Sequence, residues 1–89
     1  MDCENRPIQV IALCGAEGEL KPLRFRFEDR DHRLHTVSVT EVADTRWENY
    51  AGIEAAVFLC RAVEAGREQL YELKYTVRTH RWVLFRRIY

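Results

Sequence analysis

Eighty-nine residues, 47% of them apolar and 31% charged, fit one globular domain with a thin core. Fourteen Lys and Arg balance fourteen Asp and Glu, a composition unlike a disordered chain or a uniformly basic nucleic-acid domain. The longest uninterrupted apolar run, residues 55–60, is far too short to span a membrane.

The N-terminus "MDCENRP" carries acidic residues and no apolar stretch, so no signal peptide is expected and the location read from it is cytoplasmic. Residues 1–6 are expected to be a flexible tail and residues 7–89 a single β domain. "PIQVIALC", residues 7–14, is rich in β-branched residues and stops at Gly15. Pro7 suits a strand start, having no N–H to give to a ladder. "GAEGELK" is a loop. In "PLRFRFE", residues 22–28, apolar Leu23, Phe25 and Phe27 alternate strictly with charged residues, the pattern of a strand with one wet face. "DRDHR" is a polar turn, and "LHTVSVTEV" resumes the alternation. Placing Val37 opposite Phe25 puts Val39 opposite Leu23, so one hairpin would bury all four.

Residues 43–52 show no clear period and are expected to form a loop, with a turn of helix at most. There Trp47 and Tyr50 would cover one end of the core. Residues 53–64, "IEAAVFLCRAVE", have the Ala and Glu content of a helix, but a register test favours a strand. With a two-residue turn at Ala65-Gly66, Ala62 faces Gln69, Cys60 faces Tyr71, Phe58 faces Leu73 and Ala56 faces Tyr75. A second tight turn at Thr79-His80 sets Val77 against Trp82, Tyr75 against Leu84 and Tyr71 against Ile88, continuing the same face. Arg86 is the exception, since this register points it inward opposite Leu73.

The expected fold is therefore mainly β: one antiparallel meander of about six strands. Without a helix to cover its apolar face, it should curl into a partly open SH3-like or OB-like barrel. The alternative is α+β with residues 53–64 helical.

Chemistry is sparse. Cys3, Cys14 and Cys60 are odd in number and widely spaced, which argues against a disulfide framework. Cys14 and Cys60 read as small core hydrophobes. Asp29, Asp31, His32 and His35 resemble metal ligands only loosely, and a solvated turn explains them better. There is no glycine-rich phosphate loop and no nucleophile elbow. No enzyme, metal or cofactor is expected. Charge is uneven, however: residues 67–89 hold six Lys and Arg against two Asp and Glu. A nucleic-acid surface on the last hairpin would use Lys74, Arg78, Arg81 and Arg87 on phosphates and Phe85 or Tyr89 to stack a base. Alternating charge on a half-exposed strand is the plainer explanation.

The runs "PLRFRFE", "HTVSV", "YELKY" and "RWVLFR" together resemble a group of short bacterial all-β proteins of unassigned activity. The resemblance implies a small β domain and no functional residues. The functional expectation is a binding domain, either a nucleic-acid or accessory module using the basic hairpin, or a protein-interaction module pairing through a sheet edge. It would be a monomer or a homodimer, with no membrane partner.

Overall fold

The computed structural model describes residues 4–88, and all of its regular structure is β. Seven strands follow in chain order: β1 (Arg6–Pro7), β2 (Gln9–Cys14), β3 (Leu20–Glu28), β4 (Leu34–Tyr50), β5 (Ile53–Glu64), β6 (Arg67–Thr76) and β7 (Arg81–Arg87). They form one antiparallel sheet in the order β1-β7-β6-β5-β4-β3-β2. The first and last places belong to consecutive pieces of one segment, with only Ile8 between them. The Ile8 N–H bonds the Trp82 carbonyl at 3.2 Å before the chain crosses to β3. That crossing curls the sheet into a partly open barrel, as the alternating pattern predicts. No helix among the described residues is long and apolar enough to cross a membrane.

The core lies on the concave face. Phe25, Phe27, Val37, Ala56, Phe58, Cys60, Ala62, Tyr71, Leu73 and Leu84 are buried there, with Ile8, Val10, Leu20, Val39, Val42, Tyr75 and Trp82 packed around them. Residues 53–64 are strand, and the expected β5–β6 register holds pair by pair, from Ala62↔Gln69 to Ala56↔Tyr75. Its two-residue turn has both residues at positive φ, Ala65 at 53° and Gly66 at 77°. Such a turn twists in the same sense as the strands it joins.

Four bulges separate this sheet from a plain meander. In β3 the register shifts between the Ile11↔Arg24 and Ala12↔Pro22 pairs, so Leu23 is the extra residue. Pro22, with no N–H for the ladder, takes the inward place and is fully buried, whereas Leu23 is 41% exposed. The expected burial of Leu23 against Val39 is thus replaced by Pro22. In β4 the extra residues are Thr40 and Ala43. Each bulge reverses which neighbours face inward, and so hid the strand: residues 43–50 are β4, not a loop. Trp47 and Tyr50 do not cap the core, being 66% and 83% exposed.

The fourth bulge lies in β7. Its hairpin has a four-residue turn, with the His80 N–H on the Thr76 carbonyl at 2.9 Å, so Tyr75 faces Trp82 and Leu73 faces Leu84. This register differs by two residues from the expected one, which leaves the faces unchanged. The shift between Leu73↔Leu84 and Glu72↔Arg86 then makes Phe85 the extra residue. Arg86 turns outward to Glu72, which removes the inward arginine. Arg87 instead joins the Tyr71 row, and the Ile88 N–H bonds the Leu70 carbonyl. Ile88 therefore leaves the dry side that Phe58, Tyr71, Tyr75 and Trp82 share.

Residues 4–6, within the expected flexible tail, run along β7, where the Glu4 N–H bonds the Phe85 carbonyl and Arg6 pairs with Leu84. Residues 1–3 of that tail lie outside the described residues.

The face assignment predicts unequal costs for two leucines. Leu84→Ala should destabilise by about 2–5 kcal/mol, as truncation of a buried leucine does. Leu23→Ala should stay within about 0.5 kcal/mol, as surface changes do. Denaturant unfolding of both variants checks this, and equal losses would contradict the bulge in β3.

Candidate functional site

Of the six residues expected to bind nucleic acid, two cations are paired. Lys74 lies 3.6 Å from Glu48 and over the Phe85 ring at 5.1 Å. Arg87 sits 3.8 Å from Glu4 and over the rings of Phe27 and Tyr71. Phe85 is sandwiched, with Arg86 on it at 5.4 Å. Only Arg78 and Arg81, exposed around the β6–β7 turn, make no ion pair among the described residues. Tyr89 lies outside the described residues. The hairpin therefore does not gather its basic residues into one free patch.

The reason is a charged lattice over the outer face. Glu72, only 5% exposed, accepts hydrogen bonds from Arg46 Nη1 at 2.9 Å and Arg86 Nε at 2.5 Å. Arg46 and Lys74 flank Val57 on neighbouring strands, and Val57 is fully buried although it faces outward. The stems of the long side chains cover it while their charged ends reach water. Burial pushes the Glu72 carboxyl up, but the two guanidinium hydrogen bonds outweigh that, and its pKa lies below the ordinary 4.5.

A second polar network ties the β3–β4 turn to the β5–β6 hairpin. Asp29 accepts from the backbone N–H groups of Asp31 and Arg33 at 2.8 and 3.0 Å. Its other oxygen meets His35 Nε2 at 2.7 Å. His35 Nδ1 lies 3.3 Å from Glu64, whose other oxygen accepts from the Tyr71 hydroxyl. The hydrogen bonds from His35 and from the turn lower Asp29 to about 2. Burial and the Glu64 bond push Tyr71 up. Asp29, one of the four residues that only loosely resemble metal ligands, thus organises its own turn, and among the described residues no cluster of three His, Cys, Asp or Glu is arranged to hold a metal ion. Cys60 is buried and its thiol is pushed up to about 12, whereas Cys14 is exposed and not part of the core.

Sequence reasoning named pairing through a sheet edge but not which edge lies open. A sheet edge exposes unpaired backbone groups, and proteins shield such edges with charge, proline or another segment. The β7 edge is covered by residues 4–8 along Trp82–Phe85 and charged beyond by Arg86 and Arg87. The part of β4 that β3 leaves unpaired, residues 39–50, carries Glu41, Asp44, Arg46 and Glu48. β2 has none of these protections. It pairs only with β3, and its sequence, QVIALC, holds no charge and no proline. Its outward Ile11 and Leu13 are 55% and 57% exposed, beside the exposed Leu23. The absence of charge in "QVIALC" was visible, but its place at an edge was not.

A third feature is a groove lined by Pro7, Ile8, His80, Arg81, Trp82 and Val83. Trp82 packs on Tyr75 with ring centres 5.0 Å apart, and the Tyr75 hydroxyl meets His80 Nδ1 at 2.9 Å.

Compared with known families, curated proteins and solved structures, the chain matches none.

The two depressed carboxylates set an acid limit. A group whose pKa is lowered by folding contributes stability above its ordinary pKa and loses it as pH falls through the folded value. The window runs downward from about 4.5 for Glu72 and from 3.8 to about 2 for Asp29. Unfolding free energy should therefore fall steadily on acidification below about pH 4.5. Glu72→Gln should cost about 1.5–3 kcal/mol at neutral pH, the usual worth of a charge-assisted hydrogen bond, and should flatten that acid slope. Denaturant titrations at several pH values measure both.

Proposed function

We propose that this chain is a non-enzymatic interaction module that accepts a β-strand along β2. The observation that carries the reading is the contrast between edges: among the described residues, β2 alone is both unpaired on one side and free of charge, proline and covering chain. Added strands bind mainly by backbone hydrogen bonds and select partners by alternate side chains. Here the outward positions are Gln9, Ile11 and Leu13, so the preferred guest presents apolar side chains on that face.

The reading predicts that a lysine-flanked peptide carrying the β2 sequence binds the dilute chain. Replacing Ile11 and Leu13 by Lys in the chain should weaken that binding at least tenfold, the loss of about 1.4 kcal/mol or more. Fluorescence anisotropy reads the result; no binding by the unaltered chain sinks the proposal.

A second reading, single-stranded nucleic acid at the opposite hairpin, is favoured by one observation. Arg78 and Arg81 stand without ion pairs among the described residues, next to the groove walled by Trp82. Two phosphate contacts would give a salt slope of about −1.4 on single strands. Titration of labelled DNA and RNA at two salt concentrations tests this, and an affinity indifferent to salt or to Arg78→Ala with Arg81→Ala rejects it.

A further inference from the structure

We infer that the strand β2 accepts is the β2 of a second copy of this chain. The inference rests on the edge reading above and names its partner. Two copies related by a two-fold axis perpendicular to the sheet pair antiparallel and keep the same face outward. Opposed residues must then come from one face, which allows only registers centred on a residue and not between two.

Three such centres are available in the middle of β2. Centring on Ile11 sets polar Gln9 against Leu13. Centring on Leu13 draws the loop residue Gly15 against Ile11. Centring on Ala12 sets Ala12 against Ala12, Ile11 against Leu13 on the outer face, and Val10 against Cys14 on the inner. Every contact between residues 10–14 in that register is apolar, with Gln9 left opposite Gly15 only at the strand end, and the smallest side chain sits on the axis, where two copies of one residue meet.

Charge does not oppose it. Lys21, Arg24 and Arg26 lie on β3, so across the axis they are three strand spacings apart, about 14 Å. That exceeds the screening length of about 8 Å at physiological salt. A foreign strand has no charged group on β2 to steer it, whereas a second copy matches it by construction. Assembly should also stop at two, because pairing occupies both β2 edges and the β4 and β7 edges are charged or covered.

Sedimentation equilibrium over a wide concentration range should show a monomer–dimer equilibrium. The double change Ile11→Lys, Leu13→Lys should shift it to monomer, with circular dichroism unchanged because both side chains are exposed. Val10→Cys should form a disulfide in trans with native Cys14 on mild oxidation, since opposed antiparallel residues lie within disulfide reach, while Gln9→Cys should not. A monomer at all concentrations overturns the second-copy inference. If the β2 peptide nevertheless binds, the edge reading stands with a foreign partner; if it does not, both fall. A dimer that survives the lysine pair, or that cross-links through Gln9→Cys instead, overturns the surface or the register.

Discussion

An apolar sheet face with no helix to lie against stays dry only if the sheet bends onto itself. In this chain the bending is local, and bulges are the places where it is concentrated. Leu23, Thr40, Ala43 and Phe85 are each an extra residue in one strand, and each sharpens the local twist. The pair in β4 matters most. They turn a seventeen-residue strand from its pairing with β3 toward a separate pairing with β5, so that Phe25 from β3 meets Tyr71 from β6 edge-on, at 5.2 Å between ring centres. In a flat sheet those rings would lie three strand spacings apart, about 14 Å.

Curling creates a second demand on the outer face. Where β4, β5 and β6 lie side by side, Ala55 and Val57 point outward yet are buried. They are covered by side chains, not by a further element. Arg46, Glu48, Glu72, Lys74 and Arg86 are held by mutual ion pairs. This arrangement answers why the C-terminal quarter is basic. Glu72 needs two cations to be stable in a half-dry place, and one of them comes from β7. The charge excess seen along the chain is partly cancelled by carboxylates from β4 and from the N-terminal segment.

How far the sequence could be read depended on whether a hairpin contained a bulge. The β5–β6 pair contains none, and its register was legible to the residue from apolar alternation and the Ala-Gly turn. The same dipeptide, Ala51-Gly52, makes the β4–β5 turn with φ of 53° and 85°. It was a usable signal, masked because the two β4 bulges erase the period before it. In β7 the faces were legible up to Leu84 and wrong beyond it, since one extra residue at Phe85 exchanges the roles of Arg86, Arg87 and Ile88. The inward arginine that the plain register required was itself the trace of that bulge. The site was less legible still, because neither an ion pair between distant strands nor an edge is a property of any one segment.

The bulges also decide which edge is open. By turning β4 away from the start of β3, they leave the β2–β3 hairpin projecting from the rest of the sheet. The N-terminal segment can shield only one border: residues 4–8 are spent on β7, and the chain then crosses at Ile8 to become the other border itself. A strand that closes one side of a barrel cannot also cover its own far side. Charge would have protected it cheaply, as Glu41, Asp44, Arg46 and Glu48 protect the free part of β4. Yet Ile11 and Leu13 occupy outward positions where a lysine would cost the core nothing. Two exposed aliphatics at sites free to be polar, on the one strand left unguarded among the described residues, are the placement on which the proposed pairing along β2 rests.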